Sequence, residues 1–206
     1  MRLRAFERAH GAVLSDDGAA FLSRDGSLRF EPPLAQSIDP GITSAESYIV
    51  DIGVEFGERL GLMLVVLVRA GAFALGLWDD DVLLEHKAKK RYVVRGNGRA
   101  QATHLRTKGK SRYGSRLRLQ NAQAQHEDLI ERLERLVEDY GRPRTAWLSC
   151  PSRLLSDLYA QRPGPPWPRD AWRRIPLHVH EPDFAECCRV REALSWGRIV
   201  IVAPSG

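Results

Sequence analysis

A glutamine follows a short glycine-containing loop near the middle of the chain. The loop reads Arg95-Gly96-Asn97-Gly98-Arg99-Ala100-Gln101. Two glycines around an asparagine cannot continue a strand, so the sequence predicts a flexible loop. The neutral Gln101 amide cannot act as a general acid or base, but it can orient a water molecule or bind a developing oxyanion. The loop could therefore place water beside an ester or a phosphodiester; alternatively, it binds RNA and catalyses nothing.

Positive charge is concentrated around this loop. The stretch from His86 to His126 contains no Asp or Glu and holds 12 of the 31 Lys and Arg residues, including every lysine. The rest of the chain carries the other 19 cations against all 26 carboxylates. A cationic segment on a mildly acidic body indicates a polyanionic partner, and nucleic acid is the first candidate. The candidate RNA-binding residues are Arg95, Arg99, His104, Arg106, Lys108, Lys110, Arg112, Arg116 and Arg118.

Predicted strands precede the loop, and a predicted long helix follows it. The strands are expected at 62–68, 72–78, 82–86 and 91–94. Short connections between them, among them the acidic turn at Asp79-Asp80-Asp81, predict an antiparallel meander. Leucines at helical spacing predict a helix over 113–140, ended by Gly141 and Pro143. The cationic stretch therefore covers the first turns of this helix.

The remainder of the chain alternates between strand and helix patterns. Strands are predicted at 145–149, 175–179 and 199–202, with helices at 151–160 and 182–194. Strands separated by helices of this length predict parallel pairing through crossovers. In residues 1–50, the turn signals Asp16-Asp17-Gly18 and Asp25-Gly26 predict small hairpins.

Composition excludes several classes of protein. With 43% hydrophobic residues in 206, the chain is not largely disordered, and three cysteines do not build a disulfide scaffold. The N-terminus has no apolar stretch of the kind that a secretory signal carries. The apolar run from Leu60 to Trp78 contains Arg69 and three glycines, which predicts two buried strands rather than a membrane span. We therefore expect a cytoplasmic protein with no membrane partner.

Other chemical groups are weaker candidates for a site. His178 and His180 with Cys187 and Cys188 could form a zinc site, but their spacing fits none of the usual ligand pairs and buried core cysteines are the default. The three aspartates of the acidic turn could hold a divalent metal, although such a turn is more often simply solvated. We expect no metal and no cofactor. The tryptophans predicted to lie in the core or an interface are Trp147, Trp172 and Trp196, whereas Trp167, in its proline-rich loop, could instead stack on a base.

Several segments together resemble the Vms-like release-factor family, which is related to the catalytic domain of eukaryotic class I release factors. Arg91–Gln101, then Lys108–Arg118, then the long helix follow the family's order of strand, glycine–glutamine loop and basic segment. Val65–Ala74 resembles the family's first core hairpin, Cys150–Arg153 its Pro-Ser turn, and Arg173–Leu177 its late arginine-then-apolar strand. The resemblance covers about residues 55–202.

This resemblance implies a fold and an activity. The fold would be a mixed α/β (α+β) sheet with an RNase H-like or ribosomal-protein-like core, in which residues 1–50 form an N-terminal extension with short strands and residues 51–206 the catalytic domain. The protein would act, as a monomer and without a cofactor, on peptidyl-tRNA bound to stalled ribosomes or to the large ribosomal subunit and its rRNA. It would release the nascent chain by ester hydrolysis or by cleaving the tRNA near its 3′ end.

The same resemblance assigns roles within the loop. Gln101 matches the family's glutamine and Gly98 its first glycine, which makes these two the candidate catalytic residues. Arg99-Ala100 stands where the family often has glycine and a small or variable residue. The alternative is a non-catalytic factor that binds the ribosome or tRNA with the same basic arm.

The charge distribution predicts salt-dependent RNA binding. If the arm contacts about six phosphates, affinity for tRNA should fall roughly a thousandfold between about 50 and about 200 mM salt, because condensed counterions are released on binding. Replacing both Lys108 and Lys110 by alanine should weaken binding and make its dependence on salt less steep, which filter binding over a salt series measures. An affinity that does not change with salt would contradict the electrostatic model.

Overall fold

The computed structural model describes residues 3–36, 38–39, 41–56, 61–90 and 110–203, with the backbone alone for 51–56 and 110–119. The chain divides into two compact units. The core unit is Leu62–Cys187, and the terminal unit combines Met1–Gly61 with Cys188–Gly206.

The described elements follow one another in chain order. They are α1 (Leu3–His10), β1 (Val13–Leu14), β2 (Phe21–Leu22), β3 (Leu28–Glu31), α2 (Ala45–Phe56), β4 (Leu62–Arg69), β5 (Ala72–Asp79), β6 (Val82–Lys90), α3 (Lys110–Tyr140), β7 (Thr145–Ser149), α4 (Ser152–Tyr159), β8 (Trp172–Arg174), α5 (Phe184–Ser195) and β9 (Arg198–Ile201). Short 3-10 turns occupy Leu34–Gln36 and Arg169–Ala171.

A mixed five-stranded sheet forms the centre of the core unit. Its strand order is β6-β5-β4-β7-β8. The first three strands pair antiparallel as a meander, whereas β7 pairs parallel with β4 and β8 parallel with β7. Tight turns allow the antiparallel pairs, and α3 supplies the long crossover that a parallel pair requires. The antiparallel meander over β4, β5 and β6, the parallel crossover from β7 to β8 and the mixed α/β fold class are confirmed.

Helix α3 covers one face of this sheet. The inward residues alternate along the strands, as strand geometry dictates, and include Leu64, Val66 and Val68 of β4. The helix contributes apolar residues at spacings of three and four, which are Leu129, Ile130, Leu133 and Leu136. Gly141 ends the helix in a left-handed conformation with φ of 81° and donates its N–H to the Val137 carbonyl at 2.9 Å.

A glycine in β5 makes room for a tryptophan. A Cβ atom on Gly76 would lie 2.2 Å from Cη2 of Trp78, so the indole ring occupies the space that a side chain at position 76 would need. Because residues two apart share a face of a strand, the bulky Trp78 requires the absence of a side chain at position 76. Trp78 is thereby buried, with 4% exposure.

The terminal unit is organised around a four-stranded antiparallel sheet with the order β1-β2-β3-β9. The two hairpin turns repeat one pattern of side-chain bonds. The Ser15 hydroxyl donates to Asp17 Oδ1 at 2.5 Å, and the Ser23 hydroxyl donates to Asp25 Oδ1 at 2.6 Å. The bond from Ser23, with others from Ser27, lowers the pKa of Asp25 to about 2. The small hairpins predicted for residues 1–50 are confirmed.

Three predictions for the secondary structure were wrong or incomplete. Residues 175–179 do not form a strand: β8 ends at Arg174, Ile175 N–H makes one last bond to the Leu148 carbonyl at 3.1 Å, and Pro176 has no N–H to continue the ladder. Strand β9 does not join a parallel sheet; it pairs antiparallel with β3. Strand β6 runs beyond residue 86 to Lys90, while the predicted strand at 91–94 lies outside the described residues.

Two further helices, α1 and α2, were not predicted from the sequence. Helix α1 buries only Leu3 and Phe6, a pair too short to define a helical period. Helix α2 begins after Ser44, whose hydroxyl accepts the N–H of Ser47 at 3.1 Å in an N-terminal cap. The Ser44-x-x-Ser47 spacing was the signal that could have identified it.

Candidate functional site

The predicted catalytic loop lies between β6 and α3. Gly98 and Gln101, with Arg95, Arg99, His104, Arg106 and Lys108, fall at 91–109, outside the described residues. The remaining predicted RNA-binding residues belong to the first three turns of α3, where the backbone is helical: Lys110, Arg112, Arg116 and Arg118. The structure therefore defines the elements on either side of the loop, β6 before it and α3 after it, which we call the frame.

The departure point is fixed by the register of the sheet. Lys90, the last residue of β6, pairs with Ala72, the first residue of β5. The turn between β4 and β5, formed by Ala70 and Gly71, thus lies at the same end of the sheet as the start of the 91–109 segment. Gly71 takes a φ of 85°, a left-handed value that favours glycine in a tight turn.

The helix that follows the loop is tied to the same turn by a buried glutamine in its middle. Gln125 is 3% exposed. Its amide nitrogen donates to the carbonyls of Arg69 at 2.8 Å and Ala72 at 3.1 Å, and its amide oxygen accepts the N–H of Gly71 at 2.9 Å. One side chain therefore satisfies three polar backbone groups of the turn, each of which would be costly to leave unpaired when buried.

Ion pairs join β6 directly to α3. Lys89 Nζ lies 2.6 Å from Asp128 Oδ2, and Arg132 pairs with Glu85. A further pair connects Lys90 Nζ to Glu181 Oε1 at 3.0 Å. Two lysines of the cationic stretch, Lys89 and Lys90, thus already face protein carboxylates.

Comparison with known proteins decides the family. The sequence profile of a family described as Bacteroidetes VLRF1 release factor matches residues 63–200. The chain belongs to this release-factor family. A solved structure described as "Vms1 mitochondrial localization core" is similar with a TM-score of 0.53 over 90% of this chain and 76% of its own. Their sequence identity is 12%, so that similarity is one of fold. No curated protein matches the sequence.

The family match spans the whole frame of the release-factor loop. It begins at the second residue of β4, includes all of 91–109, and continues through β7 and β8 into β9. The predicted membership in the Vms-like release-factor family is confirmed. Gln125 could not be distinguished from the sequence, because other glutamines lie close to it in the same predicted helix, at positions 120 and 123.

The groups named above as weaker candidates for a metal site do not come together in the described residues. Among the described residues, no three His, Cys, Asp or Glu side chains are placed to hold a metal ion. His178 and His180 are exposed and contact each other, with ring centroids 5.1 Å apart. Cys187 is a fully buried core residue. The Asp79-Asp80-Asp81 segment forms the predicted turn between β5 and β6.

The cysteines and tryptophans of the release-factor chain have packing roles. Burial raises the pKa of the Cys150 thiol to about 12 and also raises that of Cys188, so neither forms a thiolate near neutral pH. Base stacking by Trp167 was a wrong alternative: this side chain is 5% exposed and packs on Trp172 with ring centroids 5.0 Å apart. Trp147 is likewise buried, whereas Trp196 is 38% exposed.

A histidine follows Gln125 in the helix. His126 is 5% exposed. Burial lowers the pKa of its imidazole below the ordinary 6.5, and the charge of Asp157 only partly opposes this shift. The folded protein therefore holds His126 neutral near pH 7.

This burial predicts acid sensitivity. Below about pH 6.5, an unfolded chain binds a proton at His126 that the folded chain rejects, so the free energy of unfolding should decrease as pH falls. Above that pH the group contributes no pH dependence. In denaturant unfolding at about pH 5.5 and 7.5, His126→Gln should lose less stability on acidification than the parent. The exposed-histidine control His180→Gln should match the parent, and an unchanged pH response in His126→Gln would contradict the assignment.

Proposed function

We propose that this release-factor chain hydrolyses peptidyl-tRNA at stalled ribosomes or large ribosomal subunits and so frees the nascent chain. The observation that carries the proposal is the family match across 63–200, which spans a loop whose glutamine, Gln101, is neutral and next to many cations. Water would add to the ester carbonyl carbon and the bond to the ribose oxygen would break, leaving a free carboxylate and an intact tRNA. Cleavage of a phosphodiester near the tRNA 3′ end would instead free the chain still esterified to a short 3′-terminal fragment and leave a shortened tRNA behind.

In this proposal the side chain of Gln101 and the backbone of the loop have different roles. Gln101 positions the attacking water or binds the oxyanion, since an amide can donate and accept hydrogen bonds without a proton transfer. The glycines at 96 and 98 let the backbone approach the terminal adenosine closely. Arg95, Arg99 and the cations through Arg118 bind phosphates of the acceptor stem or of rRNA.

The described frame supports this division. At the base of the loop, Lys89 and Lys90 pair with Asp128 and Glu181, so these two cations already have partners within the protein. The cations that follow have no carboxylate among them until Glu127. Long stretches without acidic side chains suit binding to a phosphate backbone, whose repulsion of carboxylates would otherwise oppose docking.

One observation favours a second function, a non-catalytic factor that docks on the ribosome or tRNA. Arg99-Ala100 precedes the glutamine where the family often has glycine and a small or variable residue. These residues have less backbone freedom than glycine, which would restrict how Gln101 reaches a reacting group. The two functions share the binding arm and differ only in turnover.

The hydrolase proposal predicts a separation of binding from chemistry. Gln101→Ala should lower single-turnover release of the nascent chain about a hundredfold, the scale of losing one positioned polar group, with RNA affinity nearly unchanged. Lys108→Ala combined with Lys110→Ala should do the reverse and spare the rate at saturation. Gel electrophoresis of the tRNA product distinguishes intact from shortened tRNA. Release by Gln101→Ala as fast as by the parent would contradict the catalytic role, and absence of release by the parent would favour docking.

A further inference from the structure

We propose that Gln125 is a positioning residue for the Gln101 loop, a role that rests on the proposed function. The proposal rests on one arrangement: the buried amide of Gln125 in α3 is hydrogen-bonded to the turn between β4 and β5, and this turn lies beside the last residue of β6. Gln125 would not touch the substrate. It would set the place and direction from which the loop's second end begins.

The contacts fix orientation as well as distance. The two carbonyls that Gln125 binds, those of Arg69 and Ala72, lie on opposite sides of the turn, and the Gly71 N–H lies between them. Hydrogen bonds to three different backbone groups restrict how the helix can lie against the turn. An apolar side chain of the same volume would fill the space but would allow the helix to slide or rotate, since dispersion contacts have little directionality.

We call the three hydrogen bonds between Gln125 and the β4–β5 turn the clamp. The strand register connects this clamp to β6, the strand that precedes the loop. Ala72, whose carbonyl Gln125 binds, pairs with Lys90 across the β5–β6 ladder. The last described residue before the loop is thus one strand away from the turn that holds the helix after the loop. The Lys89–Asp128 pair, at 2.6 Å, joins β6 itself to α3 about one helical turn further along the helix.

The length of the helix magnifies any error at the clamp. Lys110 precedes Gln125 by 15 residues of one continuous helix, a lever of roughly 22 Å at 1.5 Å per residue. A tilt of about 10° at Gln125 would move the start of the helix by about 4 Å over that lever. Misplacement of a reacting geometry by about 1 Å can cost about a hundredfold in rate, so a small loosening at Gln125 should reach the chemistry.

A merely structural role for Gln125 makes a different prediction from a positioning role. If the side chain only stabilises the core unit, any substitution that destabilises that unit equally should affect release equally. Leu136 provides the matched control: it lies on the same helix, is 1% exposed, and is 11 residues beyond Gln125, away from the loop. Leu136→Ala should destabilise the unit by leaving a cavity, with no effect on the clamp.

The experiment compares these variants in single-turnover release from large ribosomal subunits carrying peptidyl-tRNA. Gln125→Leu removes all three hydrogen bonds at similar volume, and Gln125→Glu retains an acceptor for Gly71 while losing both donors. Each should lower the saturating rate at least tenfold and leave the half-saturating concentration within about threefold of the parent. Leu136→Ala should keep both values near the parent's despite a lower melting temperature. If Gln125→Leu does not fold, Gln125→Glu decides.

The outcomes separate this inference from the proposed function. A saturating rate for the folded Gln125 variants within twofold of the parent overturns the inference, as does an equal loss of rate in Leu136→Ala. Either result leaves the Gln101-dependent hydrolysis of the parent intact. A parent protein that releases no chain contradicts the proposed function itself, and the inference fails with it before any variant is compared.

Discussion

The hydrogen bonds of one buried amide tie helix α3 to the turn between β4 and β5. A glutamine in the middle of a helix can be buried only if its polar atoms find partners, and the partners of Gln125 are three backbone groups of the β4–β5 turn. The turn has those groups to offer because Gly71 bends the chain back within two residues. The helix, the meander and the origin of the loop are consequently located relative to one another by backbone geometry rather than by apolar packing alone.

Charge is arranged around this constraint in two ways. Close to the sheet, Lys89, Lys90 and Arg132 each face a carboxylate and act within the protein. Further along the chain, from Arg95 to Arg118, the sequence contains cations and no carboxylate. Such a division suits a protein that must hold a loop firmly at its base while presenting the loop's remaining charge to a polyanion, because paired charges contribute little to binding at a distance.

Much of the core unit could be predicted from the sequence because its signals are local and periodic. The apolar runs of β4 and β5 each predict a strand, and the leucine spacing of α3 with the glycine at its end predicts a helix. The clamp could not be predicted, because nothing in a single glutamine shows that a turn 54 residues earlier needs a partner. The partner of β9 was predicted wrongly for the same reason, since its pairing with β3 joins segments at opposite ends of the chain. At residues 175–179 an apolar pattern predicted a strand that Pro176 cannot extend.

We propose that the loop between β6 and α3 brings Gln101 to the bond that joins the nascent chain to tRNA. The most direct measurement is a cryo-electron microscopy structure of the parent protein on a large ribosomal subunit carrying an amide-linked, non-hydrolysable peptidyl-tRNA. The hydrolase proposal predicts the Gln101 amide within about 3 Å of the linking carbonyl or of a water beside it. It also predicts the cationic start of α3 along the acceptor-stem phosphates. A bound protein whose position 101 lies away from the tRNA terminus, with the basic arm on rRNA alone, would contradict it.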